Sequence, residues 1–219
     1  MEVKWSDSTK TAYSFNIPSE KTCPGKTPTC VSKCYGLRGR FRPEMNGSAT
    51  TDYNFKVLQD DVTAIERIKW PNKKSINSFR INGVGDIYSL EFGRSIFKMC
   101  HNNNNKEFWL YTRSFDIIDT LLSEQNKPEN LVLFLSADVD NVNKAHELAE
   151  KYNLPVAYMG HDVATEKDAF VCPSTTGDPR FKLSKRKEEA PCIKCKYCFN
   201  RKEKFDIFRT KKGVRFLYH

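Results

Sequence analysis

The sequence has no apolar run that could cross a membrane. The longest, Leu131 to Leu135, covers five residues, where a membrane helix needs about 18 to 20. The start, Met1-Glu-Val-Lys-Trp5, lacks a secretory apolar region, so a soluble, cytoplasmic protein with no membrane partner is expected. Histidine is scarce, with four in 219 residues, which leaves little chemistry for imidazole to carry. Glycine and proline number ten each. With 39% hydrophobic and 29% charged residues, the chain can bury one full core but is too short for two generous domains.

Cysteine is abundant. Eight thiols in a chain expected in a reducing compartment, where disulfides rarely persist, point to metal binding or redox work. Positive charge is concentrated. From Arg180 to Arg215 there are fourteen Lys and Arg against four Asp and Glu, a local excess of ten within a total of +9. The expected organisation is therefore a main domain over 1–179 and a basic, Cys-rich extension over 180–219.

Along the main domain, strand-like and helix-like patterns alternate. Residues 11 to 17 suit a strand, and Phe55, Leu58, Val62, Ile65 and Ile68 recur at helical spacing until Pro71. Strands follow at Phe79–Ile81, Phe108–Thr112, Leu131–Ser136, Pro155–Met159 and Ala169–Cys172. Helices are expected over about Tyr88–His101, over Phe115–Leu122 with Ser114 as cap, and around Val142–Tyr152. The strands are near-continuous apolar runs, as in a parallel sheet covered by helices on both faces. The fold expected is α/β, a six-unit partial (βα) barrel, with an open doubly wound sheet as the alternative.

Unusual residues collect after each strand: Cys23, Cys30 and Cys34; Asn82-Gly-Val-Gly85-Asp86; Thr112-Arg113-Ser114; Ser136-Ala-Asp138; Gly160-His161-Asp162; Cys172. The carboxyl ends of parallel strands are where sites assemble. Cys23-x6-Cys30-x3-Cys34 supplies three ligands and leaves a fourth position open. Cys192-x2-Cys195-x2-Cys198, with Cys172 as fourth ligand, gives a closed site. The x2, x2 spacing matches ferredoxin-like 4Fe-4S ligation, and zinc is the competing metal. Cys100, on the apolar side of its helix, reads as a buried inert thiol.

Lys21-Thr-Cys-Pro-Gly25 with Cys30, Cys34-Tyr35 and Arg40-Phe41, then Phe79-Arg-Ile-Asn-Gly-Val-Gly-Asp-Ile-Tyr-Ser89 and Phe108-Trp-Leu-Tyr-Thr-Arg113, resemble the gene-product-88-like family of bacteriophages and mobile elements. The resemblance covers about residues 12 to 200. It implies a phage, prophage or plasmid setting and brings no reaction with it. More distantly, the layout resembles the radical S-adenosylmethionine superfamily, with three cysteines after the first strand, a Gly-rich motif after the second and an auxiliary cluster at the C-terminal end. Two features depart from that pattern: C-x6-C-x3-C replaces C-x3-C-x2-C, and Gly85-Asp86 stands where Gly-Gly-Glu would.

That resemblance implies an open iron that holds the amino and carboxylate groups of S-adenosylmethionine, supplied with electrons by a donor. Gly85 would let the backbone approach the amino group, with Asp86 as acceptor. Arg113 would take a carboxylate, and Ser136 and Asp138 would contact ribose or substrate. The alternative is that Asp86 and Asp138 cap the following helices. His161 is a further candidate acid, base or ligand. The basic extension, with Phe181, Tyr197, Phe199, Phe205, Phe208, Phe216 and Tyr218, could bind nucleic acid or offset the charge of a thiolate cluster. A non-enzymatic iron-sulfur or zinc-stapled module that binds nucleic acid or a host protein is the competing reading.

Overall fold

The computed structural model describes residues 1–41, 46–73, 75–160, 169–199 and 213–217. Its strands are β1 (Ser6–Ser8), β2 (Ala12–Ser14), β3 (Ser78–Arg80), β4 (Glu107–Thr112), β5 (Leu131–Ala137), β6 (Val156–Met159), β7 (Phe170–Val171) and β8 (Gly213–Phe216). They form one sheet in the order β1-β2-β3-β4-β5-β6-β8-β7. The β1–β2 pair is antiparallel and every other pair is parallel. The chain is thus a mixed α/β protein on an eight-stranded, mostly parallel sheet, and not the six-stranded arrangement expected.

The two extra strands are those without an apolar pattern. Ser6-Asp-Ser8 is a polar edge strand, and β8 comes from the basic extension, where cations obscure its Val214 and Phe216. The expected strand 11–17 keeps ladder geometry beyond β2, since Phe15 N–H donates to the Arg80 carbonyl (2.8 Å) and Ile17 N–H to that of Val84 (3.1 Å). The expected helix 55–70 divides. α3 (Asn46–Asp60) stops before Asp61, whose carboxylate accepts from Thr63 N–H (3.0 Å) and starts a 3-10 turn over Val62–Arg67.

The helices between the parallel strands are α4 (Leu90–Asn102), α5 (Phe115–Glu124) and α6 (Val142–Tyr152). Ser89 caps α4 by accepting from Phe92 N–H (3.1 Å). Ser114, expected to cap α5, makes no cap hydrogen bond. Strands β2 to β6 follow one another in a single direction across the sheet, and right-handed crossovers then place successive helices on the same side. The expectation of helices on both faces is therefore corrected.

Alternation along the strands shows what covers each face. Phe108, Leu110, Leu131, Leu133, Leu135, Val156 and Tyr158 join the helix-side core with Ile96, Ile118, Leu121 and Ala145. Cys100 is fully buried in that core, where loss of solvation pushes its thiol pKa up. Trp109, Val132, Phe134, Ala157 and Val214 point the other way and pack against Cys172, Tyr197 and Phe199. The second face is thus covered by chain from the C-terminal extension, through Trp109 stacked on Phe199 (4.6 Å) and Phe170 on Tyr197 (4.0 Å). The same extension returns as β8, between β6 and β7.

Because Phe199 seals this face against a fully buried tryptophan, Phe199→Ala is expected to cost about 3 to 5 kcal/mol and to expose the extension to limited proteolysis. A melting temperature and cleavage pattern equal to the parent's would show that the extension is only tethered.

Candidate metal centres

The first centre is built on the chain after β2. Two short helices, α1 (Ser19–Thr22) and α2 (Pro28–Lys33), carry Cys23 just past the first, Cys30 inside the second and Cys34 at its end. Pro28 sits at the first helical position and Thr27 caps, its hydroxyl oxygen accepting from Cys30 N–H (3.0 Å). The same hydroxyl donates to Asp138 (2.6 Å), and Thr29 N–H donates to Asp140 (2.9 Å). Gly25 lies so close to β4 that a Cβ there would stand 1.8 Å from the Arg113 carbonyl oxygen. These contacts seat the cysteine loop on the carboxyl ends of β4 and β5.

Asp86, Arg113 and Asp138 meet the loop there. Asp86 is buried; its carboxylate accepts from Ile87 N–H (2.7 Å), Arg113 N–H (2.8 Å) and the Thr112 hydroxyl, and burial pushes its pKa up. Arg113 Nε donates to fully buried Asp138 (3.2 Å), and its Nη2 reaches Met159 Sδ (3.7 Å). Burial raises the Cys23 thiol pKa, and the charge of Asp86 and the thiols of Cys30 and Cys34 add to it. Burial raises Cys30 as well, Arg113 opposing and Cys34, Asp138 and Asp86 adding. The three thiols, both carboxylates and the guanidinium therefore share one neighbourhood. Neither Asp86 nor Asp138 is a helix N-cap: Ser89 caps α4, and Asn141 stands at the start of α6.

The second centre lies on the face that the extension covers. Cys192 and Cys195 sit on α7 (Pro191–Cys195), which ends in left-handed Lys196 (φ 58°). Cys198 follows in the next turn, and Cys172 ends the stretch after β7. All four pack on the cluster around Trp109, Phe134 and Val214. Burial raises Cys172, where Lys10 opposes and Cys195 adds; Thr175 N–H donates to the Cys172 carbonyl (2.9 Å) and turns the chain there. Burial raises Cys192 to about 12, Lys10 and Arg80 opposing and Cys172 and Cys195 adding. Cys198 is raised by burial and by Cys192, Cys172 and Cys195, with the neighbouring Tyr111 hydroxyl opposing. The four thiols are mutual electrostatic neighbours.

Among the described residues, no three His, Cys, Asp or Glu side chains are placed to hold a bare metal ion. Around tetrahedral zinc the sulfurs would converge to about 3.8 Å of one another, from a Zn–S bond of about 2.3 Å. A cubane puts its own iron and sulfide between the ligands and spreads them farther apart. The residues present are of the type that holds a cluster: thiols removed from water, with Lys10, Arg80 and the Tyr111 hydroxyl near them.

Several candidates have other surroundings. Gly85 adopts φ +81°, and a Cβ there would meet the Ile17 carbonyl (2.5 Å) and Thr22 Oγ1 (2.7 Å), so packing and backbone conformation account for it. Ser136 lies at the same end of β5, its carbonyl accepting from Asn141 Nδ2 (3.2 Å). His161, Phe205, Phe208, Tyr218 and six of the fourteen tail cations lie outside the described residues. The sequence patterns missed Thr27, and they placed Asn82 and Ser114 among the residues after the strands without giving either a role in binding. Both amide atoms of Asn82 and the Ser114 hydroxyl are buried without a hydrogen-bond partner. They follow β3 and β4, the strands that carry Asp86 and Arg113 toward the first centre. The signal for Asn82 was its place before Gly83 in a loop already marked by Gly85-Asp86.

Fold and site together define a cysteine-rich α/β protein with two groups of thiols against one parallel sheet. The chain belongs to the Gene product 88 family, which it matches over residues 2–201. It is 29% identical to the "Gene 88 protein" of Mycobacterium phage L5 and, again at 29%, to that of Mycobacterium phage D29. Each alignment covers 92% of this chain and 88% of the relative. No solved structure matches, and no helix among the described residues is long and apolar enough to cross a membrane.

Gly25 tests how the first centre is held. Gly25→Ala is expected to lift the loop from β4 and expose Cys23 and Cys30, restoring ordinary thiol pKa values and so raising thiolate content at neutral pH. Iodoacetamide should then label both cysteines several-fold faster than in the parent apoprotein. An unchanged rate would show that the loop is not seated through Gly25.

Proposed function

We propose that this chain is a phage or mobile-element iron-sulfur protein that works in the host cytoplasm. Cys23, Cys30 and Cys34 hold a 4Fe-4S cluster with one open iron, and Cys172, Cys192, Cys195 and Cys198 hold a closed auxiliary cluster. The observation that carries this reading is the meeting of Cys172 with Cys192, Cys195 and Cys198 on one face of the sheet, while Cys23 and Cys30 share the strand ends with Cys34, Asp86 and Arg113. The in-order run from β2 to β6 supports reading the sheet as a partial barrel, with its carboxyl rim as the active end.

When bound, such a cluster supplies one-electron chemistry and, at the three-cysteine site, an iron free to take a non-protein ligand. We assign that ligand to S-adenosylmethionine, which makes the protein a radical S-adenosylmethionine-type enzyme. Arg113 is the group to meet a carboxylate. It is held by Asp138 rather than free, so Asp138 fixes its orientation and a ligand carboxylate shares its remaining N–H donors. Asp86 holds the Arg113 backbone and so positions the same rim. Asn82 and Ser114 offer unsatisfied buried donors and acceptors to a polar ligand. Removing either member of the Arg113–Asp138 pair leaves a buried charge unmatched, at about 3 to 5 kcal/mol, so this pair stabilises the fold as well as the site.

The test is made on full-length chain purified anaerobically, with single substitutions. Cys30→Ala and Cys195→Ala should each lose about half of the parent's iron and sulfide, since each disables one of two equal clusters. Adding S-adenosylmethionine should change the electron paramagnetic resonance signal of the reduced parent and of Cys195→Ala, but not of Cys30→Ala. A signal indifferent to S-adenosylmethionine in all three would overturn the enzyme reading and leave the clusters as structural staples.

A further inference from the structure

Arg80 stands between the two centres. It lies on β3 in register with Trp109 of β4, and so on the face that the extension covers. Its Nη2 donates to the hydroxyl of Tyr35 (3.1 Å), the residue after Cys34 of the first centre, and that hydroxyl donates to the Gly83 carbonyl. Its guanidinium lies over the Tyr111 ring, 5.0 Å from the centroid. The Tyr111 hydroxyl in turn stands beside Cys198 of the second centre, and Cys192 and Cys198 are within electrostatic reach of the guanidinium. Arg80 Nε is sealed from solvent without a hydrogen-bond partner. No ion pair joins Arg80 to a carboxylate among the described residues.

A guanidinium keeps its proton in a protein, and a buried charge without a counter-charge is costly. The Arg80 side chain is partly exposed, but its Nε is sealed from water, and among the described residues it lacks the carboxylate that Arg113 has in Asp138. Among the described residues, the groups able to become anionic around Arg80 are the Tyr35 and Tyr111 hydroxyls and the Cys192 and Cys198 thiols; of these the thiols ionise on binding a cluster, and four thiolates around a cubane form an anionic unit whose charge grows on reduction. Among the described residues, Lys10 is a second cation near it, beside Cys172 and Cys192.

We propose that Arg80 is a positioning residue for the second cluster, compensating its charge and, through Tyr111, fixing an O–H donor on the Cys198 sulfur. Both effects stabilise the reduced cluster more than the oxidised one, so both raise its reduction potential. Through Tyr35 the same guanidinium reaches the loop of the first centre, which joins the electrostatics of the two sites in one side chain. The inference rests on the cluster reading above.

The experiment is a reductive titration of the second cluster, followed by electron paramagnetic resonance, in full-length chain carrying Cys30→Ala to silence the first. Arg80→Gln should retain iron and sulfide with a midpoint potential more negative than the parent's. Arg80→Lys, which keeps the charge, should fall between them, because lysine cannot stack and fork as arginine does. If Arg80→Gln does not hold a cluster, Tyr111→Phe decides: it keeps the ring and removes the donor, and its potential should also fall. Equal potentials with Arg, Lys and Gln at 80, or an unmoved potential in Tyr111→Phe, would overturn the inference while leaving the clusters in place. A parent without iron and sulfide would overturn the cluster reading itself, and this inference with it.

Discussion

A parallel sheet whose crossover helices all lie on one side must have its other face buried by something else, and in this chain that constraint organises both centres. Trp109, Phe134 and Val214 cannot be left to water. The extension that covers them brings Tyr197 and Phe199 as packing and Cys192, Cys195 and Cys198 alongside. Its return as β8 between β6 and β7 makes the cover part of the sheet. The cysteine-rich segment is therefore placed by hydrophobic burial and β-ladder hydrogen bonds, which do not depend on a metal.

Electrostatics then distinguishes the two centres. The first sits at the strand ends, with carboxylates and a guanidinium already paired beside its thiols. The second sits against aromatic rings, with Lys10, Arg80 and the Tyr111 hydroxyl near its sulfurs. Burial favours neutral thiols in both, so loading either with metal must displace protons and is easier as pH rises. The donors around the second centre offset part of that cost; the first keeps polar groups, Asn82 and Ser114, without partners.

Much of this was legible in the sequence. Helical spacing and apolar runs located β3 to β7 and α4 to α6 to within a few residues, because those elements have a face to bury. Its place after the last expected strand put Cys172 with the C-terminal cysteines, and the order of loops after strands placed Asp86, Arg113 and Asp138 at one rim. What was not legible depends on partners distant in sequence. β1 is too polar to show a pattern, and β8 is hidden by cations. The covering of one face by the extension follows from sheet order, which no local window contains. The pairing of Arg113 with Asp138, the Gly25 contact with the Arg113 carbonyl and the position of Arg80 between two tyrosines are tertiary facts of the same kind.

The central claim is that both cysteine groups hold iron-sulfur clusters, and the most direct measurement is iron, acid-labile sulfide and zinc per chain in the parent purified without oxygen. The account predicts about eight iron and about eight sulfide, as two cubane clusters require, with little zinc. One or two zinc per chain with no sulfide would contradict it and make the protein a zinc-stapled module.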